Sequence, residues 1–282
     1  MRSTLRNTKS GSFHAAEHIE FVRNIGRNKA FRRAFEKLAP DRIVVDVGTG
    51  SGIMAIYAAL AGAKQVIAIE KDERMAKIAK ANFDRNGLGD RIKLIVGDAL
   101  EMTRRDIPQI DLLVGELLST WCVVEPQVPV FRHLIGISRD RIITIPRRVI
   151  NYAEGVHASF GDNEGLVYIP TTYFEFQELD PKADKFTTRV KASEIVFSRE
   201  QELDVTIQIS LRALQSGAIN ALRLASITET CNGITFNPKD DTMPNMIVPL
   251  SEEIPLVPGQ IISLTIAYTY GAGWENFVIR PE

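Results

Sequence analysis

The chain has 282 residues, 45% of them hydrophobic and 24% charged, which is the composition of a globular protein with one large or two ordinary domains. No apolar run is long enough for a membrane span and the start carries no apolar leader. Two cysteines, Cys122 and Cys231, exclude a disulfide framework and a cysteine metal cluster, so a reducing, cytoplasmic setting is the expectation. The formal charge of −1 hides an uneven spread. Residues 1–37 are basic, with nine Lys/Arg against three Asp/Glu. Residues 151–282 are acidic, with nine against eighteen. The acidic part would attract a basic substrate, and the basic start would do the reverse.

In chain order, residues 14–37 carry His18, Phe21, Val22 and Ile25 at i, i+3, i+4 and i+7, one face of a helix. From residue 42 short apolar runs alternate with helical stretches. "RIVVDV" (42–47), "QVIAIE" (65–70), "IKLIVGD" (92–98), "IDLLVG" (110–115) and "RIITIP" (141–146) read as buried strands. "GIMAIYAALAG" (52–62) and "RMAKIAKANFDRNG" (74–87) read as helices ending in glycine, and 124–136 as a helix with Pro126 in its first turn. That alternation predicts a mostly parallel sheet with right-handed crossovers. After Pro146 the helical pattern stops. "RVINYAEGVHASF", "LDVTIQISLRAL", "GAINALRLASITE" and "QIISLTIAYTY" read as strands of an antiparallel barrel or sandwich. The expected organisation is an N-terminal helical segment over 1–40, a Rossmann-like α/β unit over 41–147 and a β-barrel-like unit over 148–282.

The loop "DVGTGSG" (46–52) joins the first strand to the first helix of the sheet. Small residues there let a ligand approach the backbone at the carboxyl end of a strand. Gly48 and Gly50 fit the dinucleotide fingerprint, but its third glycine is replaced by Ile53. Glu70 ends the second strand, where an acid can accept from both ribose hydroxyls. Asp98 ends the third in "VGDALE", and Asp46 lies inside the first strand, where a buried acid needs hydrogen bonds. An acid in strand one, a GxGxG loop, an acid ending strand two and "GD" ending strand three resemble the class I S-adenosylmethionine-dependent methyltransferases. The resemblance implies that Asp46, Gly48, Gly50 and Gly52 form the bed for the cofactor's methionine part, that Glu70 holds the ribose, and that Asp98 and Ala99 lie by the adenine. The motif aligns equally with Glu101 in that last place.

"LLVGELLSTWCVVEPQVPV" (112–130) sets Glu116 directly after the fourth strand and Glu125 nine residues later, with only apolar, small or hydroxylated residues between them. A carboxylate pair suits a guanidinium, which stays protonated and offers five donors in a fixed fork. Without a cation, two close carboxylates repel and one takes up a proton. The Glu-x₈-Glu spacing after strand four is similar to the double-glutamate loop of the protein arginine methyltransferases. That family also has a His and, nine residues on, an Arg that reaches the cofactor carboxylate; His18 and Arg27 have this spacing. The resemblance implies Glu116 and Glu125 as the catalytic pair, separate from the cofactor residues, and a β-barrel after the fifth strand.

There are departures. The family's Thr-His-Trp loop should fall at 240–246, where "DDTMPNM" has no His or Trp. Residues 160–186 are broken by Gly and Pro and show no amphipathic dimerisation arm, so an arm-mediated dimer is not expected. The function expected is methyl transfer to a guanidinium or amine nitrogen, with a basic protein or an RNA as partner and no metal or membrane. The alternatives are an RNA or small-molecule methyltransferase on the same core, or a cofactor-binding protein that has lost activity.

Overall fold

The structure, a computed structural model, describes residues 19, 22–138, 141–161, 166–175, 183–237 and 244–282. Helix α1 (Ile25–Leu38) leads into strands β1 (Ile43–Val47), β2 (Gln65–Glu70), β3 (Ile92–Val96), β4 (Leu112–Gly115) and β5 (Ile143–Ile145), interleaved with helices α2 (Ile53–Leu60), α3 (Glu73–Arg85) and α4 (Gln127–Ile137). The five strands form one parallel sheet in the order β3-β2-β1-β4-β5. Strands β1, β2 and β4 are buried along nearly their whole length instead of alternating, because helices cover both faces.

The order runs outward from β1 in one direction through β2 and β3, and in the other through β4 and β5. The reversal falls between β1 and β4, so their carboxyl ends open the crevice where such sheets bind ligands. Register sharpens this. Val47 pairs with Gly115 on one side and Ile69 on the other. Gly48, Glu116 and Glu70 each follow by one residue, so they stand side by side along the sheet edge at the interstrand spacing of about 4.8 Å.

The N-terminal pattern needs a correction. Ile19 and the pair Val22–Arg23 are helical, but Asn24 leaves the helical conformation, and its Oδ1 accepts from Arg27 N (3.0 Å) to cap α1. Val22 and Ile25 are exposed, Ile25 by 82%. The buried stripe of α1 is Arg27, Asn28, Ala30, Phe31, Ala34 and Phe35. His18 and Phe21 lie outside the described residues. Pro126 stands at the N-cap of α4, and the proline of the first turn is Pro129.

From Arg148 the chain is antiparallel β. Strands β6 (Arg148–His157), β7 (Tyr173–Glu175), β8 (Asp184–Lys185), β9 (Val190–Val196), β11 (Gly217–Cys231), β12 (Ile234–Phe236) and β13 (Asn245–Leu256) make one curled sheet. Strands β10 (Asp204–Arg212), β14 (Ile261–Thr269) and β15 (Val278–Pro281) make another. Strand β11 is central, flanked by β6 and β13. Among the described residues between β6 and β9 there are short strands and no helix; the rest of the segment read as lacking an arm lies outside them. Helix α1 also touches the β part: Phe31 packs on Phe236 of β12 at 5.7 Å between ring centres, and Thr230 Oγ1 of β11 donates to the Ala30 carbonyl (3.3 Å).

Candidate active site

The glycine loop is made by backbone conformation. Gly48, Gly50 and Gly52 have φ of +67°, +55° and +87°, a left-handed run that other residues adopt at a cost. At Gly48 a Cβ would also come within 2.5 Å of Leu117 Cδ2, so that leucine side chain would have to shift. The loop is tied to its neighbours: Thr49 N donates to the Ile69 carbonyl (3.0 Å), and Gly50 N donates to Glu70 Oε2 (2.8 Å).

Glu70 is 8% exposed, and its Oε1 accepts from Asp72 N (2.9 Å). Each oxygen thus has one backbone donor and retains a second lone pair, the capacity a ribose diol would take up. Asp46 is buried. It accepts from Thr49 Oγ1 (2.5 Å), and burial, aided slightly by Glu70, pushes its carboxyl up to about 7 against the pull of Thr49 and the Ala55 backbone N–H. Asp98 caps a short 3₁₀ turn by accepting from Leu100 N (2.9 Å), Ala99 is buried beneath it, and Glu101 is exposed. These residues fit S-adenosylmethionine: a left-handed glycine cradle at the switch point, a carboxylate beside it with acceptor capacity left, and a third-strand acid at the outer end.

The two glutamates differ. Glu116 leaves β4 and meets Arg27 of α1: Arg27 Nη1 donates to Glu116 Oε2 at 2.6 Å, with the arginine 1% exposed. Arg27 Nη2 also donates to Asn28 Oδ1 (3.2 Å). Glu116 is thus joined by an ion pair to Arg27, the residue that the sequence resemblance assigns to the cofactor, while it stays outside the glycine loop and apart from Glu70. Glu125 has no cation of this kind. Its carboxylate has no hydrogen bond or ion pair among the described residues, and burial raises its pKa to about 7, with only Lys71 pulling it down. Burial is the cause, not repulsion from Glu116, whose charge Arg27 already balances.

The apolar residues between the glutamates are a plug into the β part. Trp121 is fully buried against Tyr268 and Phe277. Its indole N–H is shared between the carbonyls of Tyr152 and Ala225 (3.2 Å each), and its backbone N–H donates to Ser226 Oγ (2.8 Å). Gly271 N and Gly273 N donate to the carbonyls of Cys122 (3.0 Å) and Val123 (2.9 Å). Trp121 and Cys122 have φ of +59° and +53°. Two consecutive non-glycine residues in that region cost about 1–2 kcal/mol each, which the docking contacts offset. On the near side, Ser119 Oγ accepts from Val124 N (3.0 Å) and Glu125 N (3.1 Å).

Sequence reasoning missed Gln127. It is fully buried, its Oε1 accepts from Leu117 N (2.8 Å), and it ties the residue after Glu116 to the helix that starts after Glu125. Its Nε2 has no partner among the described residues. The only available signal was a glutamine inside an apolar run. Among the described residues no cluster of His, Cys, Asp and Glu could hold a metal, and no helix is long and apolar enough to cross a membrane. Residues 240–243 of the segment compared with the Thr-His-Trp loop lie outside the described residues; just after them, the Pro244 carbonyl accepts from Thr120 Oγ1 (3.0 Å).

The family model for ribosomal protein L11 methyltransferase (PrmA) matches residues 32–123, which hold the second half of α1, the glycine loop and strands β1 to β4. An uncharacterized protein of Methanothermobacter thermautotrophicus is 30% identical over 250 residues, covering 89% of this chain and 91% of that protein. An arginine N(omega)-methyltransferase of Streptomyces achromogenes is 26% identical over 284 residues, covering 93% and 77%. Among solved structures, the PRMT1 enzyme–prozyme heterotetrameric complex of Trypanosoma brucei with AdoHcy superposes with a TM-score of 0.75 at 17% identity, over 90% of this chain and 87% of that one. The chain belongs to the family of the Methanothermobacter protein, and it is a class I S-adenosylmethionine-dependent methyltransferase that resembles the protein arginine methyltransferases.

Proposed function

We propose that the protein transfers a methyl group from S-adenosylmethionine to a guanidinium nitrogen of arginine. In this reading Asp46, Gly48, Gly50, Gly52, Glu70, Asp98, Ala99 and Arg27 hold the cofactor, and Glu116 and Glu125 receive the guanidinium. The observation that carries it is Glu125, a half-buried carboxylate with no ion pair of its own among the described residues, on the loop that begins with Glu116, already paired with Arg27. The near-full-length match to an arginine N(omega)-methyltransferase adds support.

The cofactor, when bound, supplies an electrophilic methyl group on a sulfonium. The chain's own residues provide alignment and electrostatics. Arg27 holds Glu116 in place through their ion pair. Glu125 accepts from the guanidinium N–H groups, and the arriving cation pulls its carboxyl below about 7, so it enters the reaction ionised. As the attacking nitrogen bonded to the methyl carbon, the carbon–sulfur bond would break and the sulfonium would leave as the neutral thioether, S-adenosylhomocysteine; the proton that the nitrogen loses would pass to a carboxylate of the pair. The N-terminal helix covers the cofactor, the parallel sheet binds it and the β part supports the substrate loop. Both cysteines are buried and free of disulfides, as a reducing cytoplasm would keep them.

The test is incubation of the purified chain with methyl-labelled S-adenosylmethionine and, separately, L-arginine, an Arg-Gly-containing peptide and total RNA. Label should enter one or both arginine acceptors and be lost in Glu125→Gln, with the affinity for S-adenosylhomocysteine retained. Glu116→Gln should lose label too, but with weaker cofactor binding, because it disturbs Arg27. Label in RNA alone, or in nothing, overturns the reading.

A further inference from the structure

We propose that Ser226 and Asn151, inside the β part, are positioning residues for Glu125 that act through the backbone of Trp121. The inference rests on the reading of Glu125 as the carboxylate that receives the substrate.

Ser193 of β9, Asn151 of β6 and Ser226 of β11 sit directly opposite one another across three adjacent strands. Their side chains form one row. Asn151 Nδ2 donates to Ser193 Oγ (3.1 Å), and Ser226 Oγ donates to Asn151 Oδ1 (2.8 Å). The direction is fixed at the loop end. Trp121 N is a donor, so Ser226 Oγ must accept from it and send its single hydrogen to Asn151. Asn151 and Ser226 are 0% and 1% exposed. A polar row this deep in an apolar sheet is retained only where each member is satisfied. The backbone ladder between β6 and β11 is complete along this stretch, so pairing on the side facing the loop does not depend on Ser226; the β6–β9 register shifts just after Asn151.

The row ends on the first of the two residues with positive φ. Glu125 follows four residues later, with no side-chain partner among the described residues, so its place is set by the path of its backbone. That path is pinned on the near side by Ser119, on the far side by Gly271 and Gly273, and at its apex by Ser226. The charged group that acts on the Glu125 carboxyl is Lys71, after β2; Glu125 in turn raises the Cys122 thiol on its own loop, and Cys122 raises the Tyr268 and Tyr270 hydroxyls. None of them replaces the apex contact.

The experiment uses the full chain as wild type, Ser226→Ala and Ser226→Thr, labelled with ¹³C at the glutamate carboxyls. The Glu125 resonance is assigned by its absence in Glu125→Gln. Loss of the apex contact should let the loop relax and water reach Glu125, so in Ser226→Ala its titration midpoint should fall from about 7 by about one pH unit or more. Methyl transfer to L-arginine or an Arg-Gly peptide should fall about tenfold, mainly in kcat, while S-adenosylhomocysteine affinity stays within about twofold. Ser226→Thr, which keeps the hydroxyl, should restore both. A folded Ser226→Ala protein with the wild-type midpoint and kcat overturns the proposal, as does equal damage in Ser226→Thr. Should Ser226→Ala not fold, Ser226→Cys, similar in volume and a weak acceptor, carries the same expectation. If wild type methylates neither arginine acceptor, the functional reading fails, and the carboxyl titration still decides this one.

Discussion

Glu125→Gln should make the protein more stable and inactive at once, and the gain should depend on pH in a stated way. In wild type the carboxyl titrates at about 7 instead of the ordinary 4.5, because it is buried with only Lys71 near it. A carboxyl raised in this way favours folding while protonated. Its contribution is complete below the unfolded value and is lost as pH rises through the folded one. Each pH unit of displacement corresponds to about 1.4 kcal/mol, so at pH 8 ionisation of Glu125 opposes folding by about 3 kcal/mol, and at pH 5 by under about 1 kcal/mol. Glutamine keeps the shape and cannot ionise. The variant should therefore melt roughly 4–10 °C above wild type at pH 8 and close to it at pH 5. The assay is calorimetric melting of both proteins, ligand-free, at several pH values. Some slope should remain in the variant, because Asp46 is also pushed up to about 7. A variant that melts at or below wild type at pH 8, or whose gain does not change with pH, would refute the claim that Glu125 is a desolvated, half-buried carboxylate waiting for a cation.

Glu70→Gln keeps one acceptor oxygen, loses the charge and turns an NH2 toward one of the two backbone donors that Glu70 now satisfies, so it should weaken S-adenosylhomocysteine binding by about 1–2 kcal/mol in titration calorimetry and also lower the melting temperature. Arg27→Ala empties a buried site and strips Glu116 of its cation; loss of a buried partner costs about 3–5 kcal/mol, so the melting temperature should fall by several degrees or more, and Arg27→Lys should recover only part of it. An Arg27→Ala protein as stable as wild type would show that the ion pair contributes little.

The parallel sheet was legible because its signal is local: β1, β2 and β4 are buried on both faces, so each shows as an unbroken apolar run in its own few residues. The glycine loop and Glu70 were legible for a related reason. A fixed distance in sequence becomes a fixed distance in space when strands are parallel and in register, as the shared edge of Val47, Ile69 and Gly115 demonstrates. The break at Asn24 was not legible, since a cap competes with helix continuation and the periodic pattern of His18, Phe21, Val22 and Ile25 carries no sign of which wins. Nor could spacing separate the two glutamates. Glu116 and Glu125 are the same residue type in the same apolar run, and they differ only through partners far along the chain. Arg27, 89 positions away, neutralises the first. The second is placed by a turn whose left-handed residues, Trp121 and Cys122, are held by Ser226 more than a hundred positions downstream. A serine on a half-polar strand has no local mark that distinguishes a loop anchor from a solvated side chain. The contact exists only once β11 lies beneath the loop, which is why the glycine loop and the strand-end acids proposed to hold the cofactor stand out within residues 46–98, while the placing of the proposed substrate loop depends on the β part.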